Sequence, residues 1–134
     1  MWKDRAQAAE KLLFMLKGYE NRSDVVVVAL PRGGVVLGRV IADALKAPLD
    51  LVVPRKIGMP GDEEYAIGAL AETGDIVWNE EEHKRVSEQA LMPIIEKEKK
   101  EQARRLALYR GNLPPRDWTG KTVIIVDDGI ATGF

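Results

Sequence analysis

The sequence contains no cysteine. That excludes a disulfide framework, thiolate metal sites and catalysis by a thiol. Its one histidine, His83, lies in an acidic helical start with no second histidine or cysteine to join it. Such a residue reads as an exposed helix position, and no Ser/His/Asp set can be built around it. Charge of one sign is also missing: 20 basic and 21 acidic residues leave a net charge of −1. No global field would draw the chain onto nucleic acid or a membrane surface, and the mixed block "EKEKKEQARR" (96–105) reads as a solvated helix face. No apolar run approaches the ~20 residues a bilayer crossing needs. The start "MWKDRAQAAEK" lacks the apolar centre of a signal peptide, and no repeat, low-complexity stretch or linker divides the chain. Its 134 residues therefore predict a single domain, residues 1–134, in a soluble cytoplasmic protein with neither nucleic acid nor membrane as partner.

What is present alternates between two periodicities. Residues 3–17 place Ala6, Ala9, Leu13 and Leu16 at helical spacing, with Leu12 beside them and Gly18 as a stop. "DVVVVAL" (24–30) is a continuous β-branched run, the pattern of a strand buried on both faces of a parallel sheet. It breaks at "PRGG" (31–34). A helix follows over 35–47 with Val36, Val40, Ile41 and Ala44 on one side, and "LDLVV" (49–53) is a second strand. Strand, turn, helix and strand make a βαβ unit, which brings the strands parallel.

Residues 54–75 are less regular. "YAIGALAE" and "DIVW" pair as a short hairpin around "TG" (73–74). Asn79 with Glu82 forms a capping box for one long helix towards Tyr109, kinked near Pro93. After a loop over 111–121, "TVIIV" (122–126) is the third apolar strand. Trp2, Trp78 and Trp118 follow no spacing and read as packing residues. The fold class is α/β, an open parallel sheet with a small insertion.

Three stretches carry chemistry. The first is "VIIVDDGIATG" (123–133). Open α/β sheets bind ligands beyond the carboxyl ends of their strands, and Asp127 and Asp128 stand there. Two carboxylates suit a vicinal diol and can help hold a divalent cation. The small residues after them let backbone N–H groups close on a phosphate, with the Thr132 hydroxyl as a further donor. A plain strand-to-helix turn with one capping Asp explains one acid and one glycine, but not the pair. The second is "ALPRGG" (29–34), where Gly33 and Gly34 admit an anion close to the backbone and Arg32 adds a forked donor; turns with Pro and Gly are also common without a ligand. The third is "PRKIGMPGDEEYAIG" (54–68). Arg55 and Lys56 stand at the end of the second strand, and the segment after them is either a mobile cover for a ligand or a surface excursion.

Two anion-binding turns and a diol-binding acid pair call for a ligand with a ribose and more than one phosphate. Here the sequence resembles the type I phosphoribosyltransferases, over about residues 24–133. "VIIVDDGIATG" is similar to that family's signature for 5-phosphoribosyl-1-diphosphate (PRPP). "PRGG" is similar to its diphosphate loop, and "RKIGMPGDEEYAIGAL" stands in the place of its flexible loop. The resemblance implies that Asp127 and Asp128 hold the ribose hydroxyls and help organise Mg²⁺, directly or through water. It implies that Gly129, Ile130, Ala131, Thr132 and Gly133 hold the 5-phosphate. Pro31, Arg32, Gly33 and Gly34, with Arg55 and Lys56, would contact the diphosphate, where the family often has a cis peptide. The catalytic set so implied is Arg32, Lys56, Asp127 and Asp128, and the reaction is displacement of diphosphate from C1 by a nitrogen nucleophile, usually of a nucleobase. The position of a catalytic Asp in the hypoxanthine–guanine branch is Ala131, so the loop looks more like that of adenine or uracil enzymes.

The family continues after the Thr-Gly with a helix and further strands, whereas this sequence ends at Phe134. The expectation is a truncated form whose "TVIIV" strand forms an exposed apolar edge, or a chain that compensates by forming a homo-oligomer such as a dimer. A non-catalytic PRPP- or nucleotide-binding regulator, or an inactive truncated form, would share the same residues. A receiver-like domain needs an Asp at the end of a middle strand, and "LDLVVPRK" offers none.

Overall fold

The computed structural model describes residues 3–114, 116–130 and 133. They form two units: one holds residues 3–52 and 116–130, the other Val53–Pro114.

In the first unit, α1 (Arg5–Leu16) starts at Asp4, whose carboxylate caps it by accepting the Gln7 N–H at 2.8 Å. A 3₁₀ turn (Lys17–Tyr19) carries the chain through Gly18 to β1 (Val25–Ala29), all five residues of which are buried. After the PRGG turn come α2 (Gly33–Leu45) and β2 (Leu49–Leu51). Strand β6 (Thr122–Val126) enters from the far end of the chain and pairs parallel with β1, Val25 opposite Thr122 through Ala29 opposite Val126. The order is β2-β1-β6, parallel throughout. The βαβ reading therefore holds. So does the expected apolar edge: β6 pairs only with β1 among the described residues, and Ile125 is 69% exposed.

The core of this unit joins Ala9 of α1 to Val27, Leu37, Ile41, Ala42, Leu45 and Val126. The buried face of α2 differs from the predicted one, because Val36 and Ala44 are exposed. The face against the sheet is instead Gly34, Leu37, Gly38, Ile41 and Leu45. Two glycines one helical turn apart let the helix backbone approach the strand, and a count of apolar side chains passes over them. A β-carbon at Gly38 would come 2.8 Å from that of Ala29. On α1, Leu13 and Leu16 pack as expected, while Ala6 and Leu12 face solvent.

The second unit is an antiparallel sheet with one long helix. Strands β3 (Arg55–Met59) and β4 (Asp62–Leu70) turn at Pro60 and Gly61, where Gly61 adopts φ +88°. The stretch that reads as less regular is a hairpin, its alternation hidden by register shifts around Gly58. Strand β5 (Ile76–Trp78) pairs with β4 as predicted. The single long helix from Asn79 is in fact two. Asn79 caps the short α3 (Glu80–His83), and Ser87 caps α4 (Glu88–Arg110) by accepting the Ala90 N–H at 3.2 Å. Pro93 lies within α4.

Ile57, Ile67, Leu70 and Leu91 form the second core. Gln102, the buried polar residue beside it, donates to the carbonyl oxygens of Val53 at 2.8 Å and Leu70 at 3.4 Å. His83 is not the free helix residue expected. It stacks on Trp78 with ring centres 4.2 Å apart and lies 3.2 Å from Glu88 Oε1.

Candidate functional site

Strand β6 ends on buried Val126, and Asp127 and Asp128 emerge into solvent at its carboxyl end. They do not behave alike. Asp127 folds back, its Oδ1 accepting the Asp128 N–H at 2.8 Å. Asp128 Oδ2 accepts two hydrogen bonds from the Arg5 guanidinium, from Nη2 at 2.7 Å and Nε at 3.1 Å. The guanidinium beside Asp128 holds its carboxyl below the usual carboxylate range, mainly through that hydrogen bond. Both bonds from Arg5 fall on Oδ2, and the Asp127 side chain also acts on the Asp128 carboxyl.

The PRGG turn comes to the same place. Leu30 donates its N–H to the Val126 carbonyl at 2.9 Å, extending the β1–β6 ladder past Ala29, and Gly34 N–H returns to Leu30 O at 3.0 Å. The Pro31–Arg32 peptide is cis, as the resemblance implied for this loop. A β-carbon on Gly33 would overlap the Asp128 carboxylate, and one on Gly34 would lie 2.6 Å from the Val126 carbonyl oxygen. Gly34 is therefore required by close approach to the backbone of the acid-bearing strand end, and Gly33 leaves the room that the Asp128 carboxylate occupies. The side chain of Arg32 is exposed and has no ion-pair partner among the described residues. Gly33, Gly34, Asp127 and Asp128 thus come together at one strand end, with Arg32 next to Gly33 in the chain.

Other predicted residues are placed differently. Gly129 and Ile130 are exposed, and a β-carbon on Gly129 would meet nothing within 4 Å. Gly133 has φ +86°, a conformation suited to glycine, while Ala131 and Thr132 lie outside the described residues. Arg55 and Lys56 do not end the second strand. Pro54, which has no N–H for a ladder, separates β2 from β3, and both residues lie on β3 in the second unit. There Arg55 is bound to Glu98 at 2.6 Å and Lys56 to Glu64 at 3.0 Å.

Among the described residues no group of three or more histidine, cysteine or acidic side chains is placed to hold a metal. The acid pair supplies hard oxygen donors, two at most. That set fits Mg²⁺, which keeps several waters and is commonly shared between one or two carboxylates and substrate phosphates. Among the described residues no helix is long and apolar enough to cross a membrane.

One site residue escaped the sequence reading. Arg5 and Asp128 are 123 positions apart, and no spacing rule connects them.

A phosphoribosyl transferase domain model matches residues 2–134. The chain is 38% identical over 135 aligned residues to proteins named "Putative phosphoribosyl transferase" in two strains of Mycobacterium tuberculosis, covering 99% of this chain. It spans only 30% of the length of those curated relatives. Among solved structures it is similar to TT1426 from Thermus thermophilus, with 32% identity and a TM-score of 0.73 over 98% of this chain and 63% of that one.

Proposed function

Because this chain belongs to the phosphoribosyl transferase domain family, we propose that it binds PRPP with Mg²⁺ and supplies the ribose- and diphosphate-binding part of an enzyme that transfers phosphoribose to a nitrogen nucleophile of a nucleobase. The observation that carries this reading is the meeting of the PRGG turn with the acid pair, Gly33 lying directly against the Asp128 carboxylate. A ligand with a diol beside a diphosphate needs those two elements within one ribose of each other.

In the reaction, the bond between C1 and the diphosphate oxygen breaks with its electron pair leaving on diphosphate. A bond from nitrogen to C1 forms, and the nitrogen passes its proton to a phosphate oxygen of the departing diphosphate. The carboxylates of Asp127 and Asp128 accept the ribose hydroxyl hydrogens and fix the ring. Arg32, exposed and without an ion-pair partner among the described residues, offers its fork to the departing diphosphate. Mg²⁺, when bound, neutralises phosphate charge. The rate then comes from positioning and from stabilising charge on the leaving group.

Calorimetric titration with PRPP and Mg²⁺, followed by an assay of diphosphate release over a panel of nucleobases, tests the proposal. Binding with base-dependent release supports it, and release-free binding points to a regulatory module. Failure to bind PRPP overturns it.

A further inference from the structure

Arg5 approaches the acid pair from a third element. It is the first residue of α1, directly after the capping Asp4. The Lys3 N–H donates to Gln7 Oε1 at 2.9 Å and so braces that first turn. The helix is seated through Ala9, Leu13 and Leu16 on Leu37, Ile41, Ala42 and Leu45 of α2. The α2 helix in turn begins at Gly33, whose backbone lies against the same Asp128 carboxylate. The carboxylate is therefore contacted by a guanidinium and packed on a glycine backbone, and both of those belong to the same helix pair.

We propose that Arg5 is a positioning residue of the ribose site, which clamps one oxygen of Asp128 so that the other is presented to a ligand hydroxyl, and which cancels one of two adjacent negative charges. This rests on the phosphoribosyl-transfer reading above. Two arguments carry it. Both hydrogen bonds from Arg5 fall on the same oxygen, Oδ2, so Arg5 itself does not occupy Oδ1. Two neighbouring carboxylates would also repel a ligand with several phosphate charges, and a cation bound to one of them lowers that cost. Folding stability is a poor alternative explanation. The two side chains are 56% and 37% exposed, and ion pairs in such settings contribute little.

The test compares the wild-type chain with Arg5→Gln, Arg5→Lys, Asp128→Asn and the double variant Arg5→Gln/Asp128→Asn, by titration with PRPP and Mg²⁺ and by thermal melting. Arg5→Gln is expected to bind about tenfold more weakly, the scale of one charge-assisted contact, with an unchanged melting midpoint. Arg5→Lys is expected to recover part of the loss, because it keeps the charge but not the fork. In the Asp128→Asn background, removing Arg5 is expected to cost little more, since two residues acting through one contact are not additive. Wild-type affinity in Arg5→Gln overturns the inference while leaving phosphoribosyl binding intact. So does an equal loss in both backgrounds, or a lowered midpoint without rescue by lysine. Absence of PRPP binding by the wild-type chain overturns both readings.

Discussion

Gly33 and Asp128 occupy adjoining space: a β-carbon at position 33 would overlap the carboxyl group of residue 128. Since Gly33 starts α2 and Asp128 follows β6, this contact places a helix start and a strand end around one ligand volume. Asp128 is partly exposed and can move aside. Gly33→Ala is therefore expected to fold with little loss of stability but to displace the carboxylate from Arg5. PRPP affinity should fall by about tenfold, the value of the hydrogen bonds the carboxylate then fails to make. Titration paired with thermal melting checks it; unchanged affinity would show that Asp128 does not hold the ribose.

Gly38 tests the fold without touching the site. A β-carbon there would lie 2.8 Å from Ala29 Cβ and 3.2 Å from Leu49 Cδ1. Ala29 Cβ is fixed to a buried strand of the parallel sheet and cannot yield cheaply, whereas the Leu49 side chain has only a few tenths of an ångström to give. Gly38→Ala should destabilise by about 1–3 kcal/mol, the usual range for overpacking. Gly18→Ala, where a β-carbon would meet nothing within 4 Å, is the matched control and should be close to neutral. Urea midpoints of the two variants decide the matter.

These two glycines also mark what could be read from the sequence. The run Val25–Ala29 declared its strand because continuous β-branched residues suit a strand covered on both faces, and it is buried throughout. The face of α2 was misplaced because its sheet-facing stripe contains Gly34 and Gly38, which have no side chain to register in a hydrophobic pattern. The hairpin at Arg55–Leu70 was hidden because register shifts around Gly58 break the period of two. Ser87 did carry a local capping signal, and it was overlooked because the capping box at Asn79 accounted for the start of a helix. The acid pair and the PRGG turn were recognisable because each is a local pattern of residue types. Which oxygen of each acid is spent, and on what, is decided by Arg5 and by the fold-back of Asp127. Neither is a property of a sequence window.

Glu72 joins three segments of the second unit. Its Oε1 accepts the Val53 N–H at 2.8 Å and Arg110 Nη2 at 3.2 Å, and its Oε2 accepts Arg110 Nη1 at 2.8 Å. Both side chains are mostly covered. Glu72→Ala removes the acceptor for a backbone donor and for a covered cation at once, a change worth about 2–4 kcal/mol. Glu72→Gln keeps an acceptor in place and should lose about half as much. Equal losses in the two variants, measured by urea unfolding, would show that charge rather than acceptor geometry holds this contact.

Asp24 sits where β1 and β6 begin. Its carboxylate accepts from Arg22 Nη2 at 2.7 Å and Nε at 3.0 Å and from the Thr122 hydroxyl at 3.0 Å. These bonds, the one from Arg22 foremost, hold the carboxyl at about 2, below its ordinary value of 3.8. A carboxyl depressed in the folded state binds its proton more readily once the chain unfolds. Its stabilising contribution is thus complete above the ordinary value and disappears as pH falls from near 4 towards 2. The side chain is well exposed, so solvent keeps the effect small. Asp24→Asn should be less stable than the wild-type chain at pH 6, and the gap should close on acidification through that window. Urea unfolding at pH 6, 4 and 2.5 measures it. A gap that stays constant would mean that Asp24 acts through its neutral hydrogen bonds alone, and that Arg22 adds nothing to the joining of β1 with β6.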